Sequence, residues 1–176
     1  QTENQYSKGV KPTATFNLPR ARGRYVALCE GDDYWTDPHK LQKQVEYLEN
    51  HPECSMCFHN AINLQPDGSG QDYVRRFGIE IKPQYFLEDI LTKNFIPTCS
   101  VVFRNNLIDE LPQEAYETPA MDILLYVILA QKGRLGYIDE KWAVRRVHPG
   151  GIWSAKSEME RHLGDIKWLQ AIDSYL

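Results

Sequence analysis

The hydrophobic and polar positions of this chain fall into short runs of two kinds. Tyr25, Val26, Ala27 and Leu28 are a continuous apolar run and predict a buried strand over residues 23–29. A second run predicts a strand over 54–61, and a third over 96–103, where Pro97 sits near the start and is tolerated. Leu135 to Ile138 and Trp142 to Val147 read as two further strands. Between them the period changes. Pro38 suits a first helical position, with Thr36 or Asp37 as cap, and Leu41, Val45 and Leu48 then share a helical face. The polar residues between them place that helix on the surface, and residues 49–52 end it. A short helix over 85–93 turns Phe86, Ile90 and Leu91 inward, and one or two helical turns follow over 105–111.

Residues 121–132 are apolar on nearly every side, which predicts a buried helix ended by Gly133. A last amphipathic helix over 156–175 puts Leu163, Ile166, Leu169 and Ile172 on one face. Residues 66–70 (PDGSG) are a strong turn, and 71–83 a connection in which Phe77, Ile79 and Ile81 alternate. Residues 1–19 carry little pattern beyond a helical turn over 14–18. The sum is an α/β fold of one ordinary domain, without internal repeats.

Composition narrows this only a little. No apolar run reaches membrane-spanning length, and the polar start, residues 1–5, does not read as a secretory signal. A net charge of −4 gives no reason to expect nucleic acid. The first 28 residues are basic by contrast, a surface that either meets an anion or is simply solvated. Cys54, Cys57 and His59 resemble half a zinc site, but no second cysteine pair completes it. A strand would point Cys54 and Cys57 to opposite faces, so buried thiols in a reducing cytoplasm are the expectation.

The chemistry concentrates where the first strand ends. Glu30, Asp32 and Asp33 place three carboxylates within four residues, with Gly31 among them. Such crowding is unfavourable unless a proton or a cation relieves it, and Mg²⁺ or Mn²⁺ prefers oxygen ligands of this kind. The same residues also suit a plain turn in which Asp caps the next helix. Asp122 heads the apolar helix, either as a cap or as a carboxylate aimed into a cleft. Gly150 and Gly151, in a loop over 148–154, either present backbone N–H groups to an anion or merely turn the chain.

Residues 21–35 (ARGRYVALCEGDDYW) resemble the metal-binding segment of family 2 glycosyltransferases, and 37–44 (DPHKLQKQ) the helix that follows it. Residues 98–104 (TCSVVFR) resemble the family's strand after the acceptor-side region. Residues 120–122 (AMD) resemble the place of its catalytic carboxylate, and 145–148 (RRVH) its late Arg-x-x-His element. The resemblance implies a GT-A-like, Rossmann-like mixed sheet flanked by helices. It also implies sugar transfer from a nucleotide-diphosphate-sugar donor to an acceptor hydroxyl, with inversion. By that resemblance Asp32 is the main ligand of Mn²⁺ or Mg²⁺, with Glu30 and Asp33 beside it, and Asp122 is the catalytic base. His148, with Arg145 and Arg146, holds the diphosphate. Trp35, Cys99 and Ser100 fall at the substrate, although Trp35 equally suits packing beneath the turn.

Glu30 stands where the family usually has Asp, one methylene longer. The strands that grip the nucleotide base would precede residue 25, so the expectation is a partial domain. Its regions are a metal-motif region over 1–60, an acceptor-side region over 61–154 and a carboxyl-terminal helix over 155–176. Its cut sheet edge favours self-association. The expected setting is surface polysaccharide or glycan synthesis on a lipid-linked or glycan acceptor, at the cytoplasmic face of a membrane. Two other classes stand beside this one. A non-catalytic glycan- or protein-binding module derived from such an enzyme is the first. A phosphoryl or nucleotidyl transferase is the second, weakened by the lack of a P-loop.

Overall fold

A computed structural model describes Gln5 and residues 8–151 and 154–176. The polar start and Ile152 and Trp153 of the glycine-containing loop therefore fall partly or wholly outside the described residues. Among those described, the chain is α/β, with an open seven-stranded mixed sheet flanked by helices. The strands are β1 (Tyr25–Ala27), β2 (Tyr34–Trp35), β3 (Cys54–Leu64), β4 (Gly70–Asp72), β5 (Gln84–Tyr85), β6 (Val102–Arg104) and β7 (Arg134–Arg146). The helices are α1 (Leu18–Arg20), α2 (Lys40–Asn50), α3 (Leu87–Thr92), α4 (Glu114–Glu117), α5 (Met121–Lys132) and α6 (Glu158–Tyr175). A π-helical turn, Thr13–Asn17, leads into α1.

The sheet order is β1-β6-β3-β7-β2, with β4 added on β3 and β5 on β7. The long strands β3 and β7 run parallel side by side and form its spine. β6 is antiparallel to both β1 and β3, so β1, β3 and β7 all point the same way. Their carboxyl ends share one rim of the sheet, which is where ligands bind in open α/β folds. The end strands of the path are only three and two residues long, so the edges available for the expected self-association are short.

Cross-strand pairs divide the core. Met56 and Phe103 pair and join the main core with Leu124, Leu125 and Val127 of α5. Cys57 and Val102, one residue along, pair on the other face and join Leu48 of α2 in a smaller cluster. Helices therefore cover both faces. α5 has the predicted bounds, and its residues 123–129 are all buried. Gly133 ends it where the chain passes close to β3: a Cβ there would lie 2.7 Å from the Glu53 carbonyl oxygen.

Several expectations are corrected. The two strands expected over 135–147 are one strand. β7 carries extra residues opposite His59 and Asn60, so the polar Asp139–Lys141 stretch bulges without ending the ladder. A register shift at Ser55 likewise brings Cys54 and Cys57 into one cluster, not onto opposite faces. All four cysteines are free, and Cys29 alone of them is exposed. Residues 84–85 pair with β7, so the helix expected from Tyr85 begins at Leu87 and leaves Phe86 exposed. The strand expected over 96–103 is a 3-10 turn, Thr98–Ser100, followed by β6.

Two helices present other faces than expected. α2 buries Lys40, Gln44 and Leu48, while Leu41 is 42% exposed. α6 buries Gly164, Trp168 and Ile172, and turns Leu163, Ile166 and Leu169 outward. No helix among the described residues is long and apolar enough to cross a membrane.

Candidate functional site

The site lies at the common rim of β1, β3 and β7. β1 ends at Ala27, and the Leu28 amide donates to the Val101 carbonyl (3.0 Å), which fixes where the following turn begins. The turn over Glu30–Asp33 is closed by the Asp33 amide on the Glu30 carbonyl at 3.2 Å. Gly31 is not in a left-handed conformation, and a Cβ there would meet no protein atom within 4 Å. Its small size therefore leaves room on the cavity side of the turn; the turn itself does not demand it.

A cavity of about 430 Å³ opens over this turn. Glu30, Asp32 and Asp33 line one side. Asp122 and Thr98 line another, with Arg145 and Arg146 of β7 close by. Lys11, Thr13 and Asn17, ahead of α1, and Met121 and Leu125 of α5 also line it. Four carboxylates that are up to 92 residues apart in the chain thus face one space, with two arginines beside them.

Their electrostatics differ. Surrounding protein pushes the Glu30 carboxyl up to about 7, and the charges of Asp33 and Asp122 add to that burial, although the side chain opens to the cavity. Burial raises Asp33 too, against a hydrogen bond from the Arg146 amide at 2.9 Å. Asp32 goes the other way. His148 Nε2 is 3.0 Å from its Oδ2 and holds the carboxyl below the usual range. The Arg146 side chain also donates to the Asp32 carbonyl. Burial raises Asp122, while the Thr98 hydroxyl, donating to its Oδ2 at 3.1 Å, opposes the shift.

The sequence-predicted residues divide as follows. Glu30, Asp32, Asp33, Asp122, Arg145 and Arg146 line the cavity. His148 reaches it through Asp32 and also lines a second cavity of about 320 Å³, shared with Asp32 and Arg146. Arg145 is partly engaged, donating to Asn63 Oδ1 at 2.9 Å. Trp35, Cys99 and Ser100 do not line the cavity. Cys99 and Ser100, expected at the substrate, are 0% exposed beneath the turn. The Trp35 indole N–H donates to the Cys99 carbonyl at 2.8 Å, so its role here is packing under the turn. The Gly151 amide is used within its own loop, on the His148 carbonyl at 3.0 Å.

Thr98, Thr13 and Asn17 were not singled out from sequence, whereas Lys11 belongs to the basic stretch that either meets an anion or is solvated. The first three are isolated polar residues in stretches without period, and only the helical turn near residue 14 hinted that the lead-in is ordered. No group of three or more His, Cys, Asp or Glu side chains is placed to hold a metal ion among the described residues. The carboxylates spread around the cavity instead of converging. That arrangement suits a hard cation held by one or two carboxylates and completed by a phosphate ligand, not a closed protein cage. Burial first, and then the neighbouring charges of Asp33 and Asp122, raise the Glu30 carboxyl, and a cation bound beside it would oppose that shift.

Comparison with known proteins adds to this geometry. An uncharacterised protein of Mycobacterium tuberculosis is 42% identical over 155 residues, covering 85% of this chain and 42% of that protein. The chain thus spans less than half the length of this relative. A putative teichuronic acid biosynthesis glycosyltransferase of Bacillus subtilis, TuaG, is 29% identical over 124 residues, 68% of this chain and 45% of that protein. The Escherichia coli UDP-Glc:alpha-D-GlcNAc-diphosphoundecaprenol beta-1,3-glucosyltransferase WfaP is 36% identical over 47 residues, 27% of this chain and 18% of that protein. No family model matches the chain. Partial similarity to glycosyltransferases is the functional content of these matches.

Proposed function

We propose that this chain forms the metal and acceptor side of a glycosyltransferase acting in cell-surface polysaccharide synthesis. The enzyme moves a sugar from a nucleotide-diphosphate donor to an acceptor hydroxyl with inversion. The observation that carries the reading is one cavity, at the carboxyl rim of the sheet, in which the Glu30–Asp33 turn faces Asp122. The partial similarities to two glycosyltransferases support it, one of them named for a lipid-linked diphosphate acceptor. A lipid-linked acceptor in turn supports catalysis at the cytoplasmic face of a membrane.

Asp122 receives the proton of the attacking hydroxyl. Burial raises its carboxyl, which makes it a stronger base once ionised, and the Thr98 hydroxyl fixes one of its oxygens. The acceptor oxygen then bonds to the anomeric carbon from the face opposite the leaving diphosphate. The bond between that carbon and the diphosphate oxygen breaks, and its electron pair stays with the diphosphate. Arg145, Arg146 and His148 supply hydrogen-bond donors to those oxygens. Asp32, with Asp33 and Glu30 nearby, would hold Mn²⁺ or Mg²⁺, which when bound would supply Lewis-acid neutralisation of the leaving group. Asp32 suits this best, since its contact with His148 keeps it ionised.

Sugar transfer from radiolabelled nucleotide-sugars to an undecaprenyl-diphosphate-linked acceptor tests the reading. Asp122→Asn is expected to lose transfer by at least about 100-fold, the scale of general-base catalysis, with donor binding retained. Unchanged turnover in that variant would overturn the assignment of the base.

A further inference from the structure

Beneath the acidic turn lies a buried lysine that the proposed reaction does not use. Lys40, at the start of α2, is 1% exposed, and its Nζ has no hydrogen-bond partner. Gln44, one turn along the same face, is 0% exposed and binds the Ser100 carbonyl through Nε2 at 2.8 Å, leaving Oε1 unpartnered. His59 of β3 is also fully buried. Its Nδ1 is 2.6 Å from the Asn60 carbonyl and its Nε2 is unpartnered. An ammonium at a helix amino end, out of water and without a counter-ion, is costly. Its one strong contact is the face of Trp35, with Nζ 4.2 Å from the ring centroid.

That contact leads to the site. Trp35 lies two residues after Asp33, and its indole N–H donates to the Cys99 carbonyl at 2.8 Å. Cys99 follows Thr98, whose hydroxyl holds Asp122. The indole is therefore one link between the turn and the segment opposite it, and the ammonium sits on that indole. We propose that Lys40 is a positioning residue for the acidic turn: its ammonium clamps Trp35, and Trp35 sets the turn against the segment that carries Thr98. The clamp takes its name as a site element from the proposed function, but the indole contact stands whatever the cavity binds.

A charged clamp can be switched off by deprotonation. Burial lowers the Lys40 ammonium from 10.5 to about 8. The titratable groups facing it are Cys29 on the acidic turn, Cys99 on the Thr98–Ser100 turn, and Cys57 and His59 on β3. Burial raises all three thiols and lowers His59 to about 3, so each is pushed toward its neutral form. Lys43, one turn on, stacks on Trp142 instead. Glu30, near 7, titrates on the same turn and must be separated from Lys40.

The test is ¹H–¹⁵N NMR of the Trp35 indole N–H, assigned with Trp35→Phe, between pH 6 and 9. The wild type is expected to show a step near 8. Lys40→Arg, charged throughout, is expected to lose that step, keep any step from Glu30, and hold the wild-type shift at pH 6. In Lys40→Met at pH 6 the indole resonance and the Gly31–Asp33 amides are expected to move. Its indole proton is expected to exchange with water about tenfold faster, the effect of losing one desolvated cation–π contact. Melting temperature separates a packing role from positioning: removing a buried unpaired charge should not lower it. Indole and turn resonances of Lys40→Met superimposing on wild type would overturn the proposal. So would a Lys40→Arg indole resonance at pH 6 that departs from wild type as far as that of Lys40→Met.

Discussion

His148 Nε2 lies 3.0 Å from Asp32 Oδ2, a contact between residues 116 positions apart. It ties the loop after β7 to the turn after β1, and it depresses the Asp32 carboxyl. His148→Ala is therefore expected to raise the Asp32 midpoint, read by ¹³C NMR of the side-chain carboxyl. A depressed carboxyl adds stability above its unfolded value, which is lost as pH falls through the folded one. Both side chains are over 40% exposed, so the stability change should stay below about 1 kcal/mol.

Glu30 has the opposite sign. Its carboxyl rises from 4.5 to about 7 on folding, so the folded protein holds more protons across that interval. Its contribution to stability then falls as pH rises from about 4 through 7. In metal-free buffer, Glu30→Gln is expected to melt higher than wild type at pH 8 and alike at pH 4. Equal gains at both pH values in calorimetric melts would contradict the shift.

Leu48 and Leu41 test the observed face of α2. Leu48 is 0% exposed and Leu41 is 42% exposed. Leu48→Ala is expected to cost about 2–5 kcal/mol in urea unfolding. Leu41→Ala should stay within about 0.5 kcal/mol.

That pair also shows where sequence reading reaches its limit. The period of α2 is plain, but its phase was set by counting leucines. The chain instead buries Lys40 against an indole and Gln44 against a backbone carbonyl, contacts that no local pattern encodes. In α6 two apolar stripes compete, and the one bearing Trp168 and Ile172 is buried. α5 was legible to its ends because seven consecutive buried residues leave no phase to choose.

In the site, the acids were legible as a dense cluster and as a family resemblance. Thr98, Thr13 and Asn17 were not, because each is a lone polar residue brought in by tertiary folding; Lys11 was legible only as one charge of the basic stretch. Cys99 and Ser100 are buried beneath the turn, and of that segment Thr98 lines the cavity.

The central claim is that the turn after β1 holds a divalent cation together with a diphosphate. Calorimetric titration of Mn²⁺ into the protein with a nucleoside diphosphate present tests it directly, in wild type and Asp32→Asn. The account predicts binding in the wild type that Asp32→Asn abolishes, and weaker binding in both when the diphosphate is omitted. Equal Mn²⁺ affinity in the two proteins would contradict it.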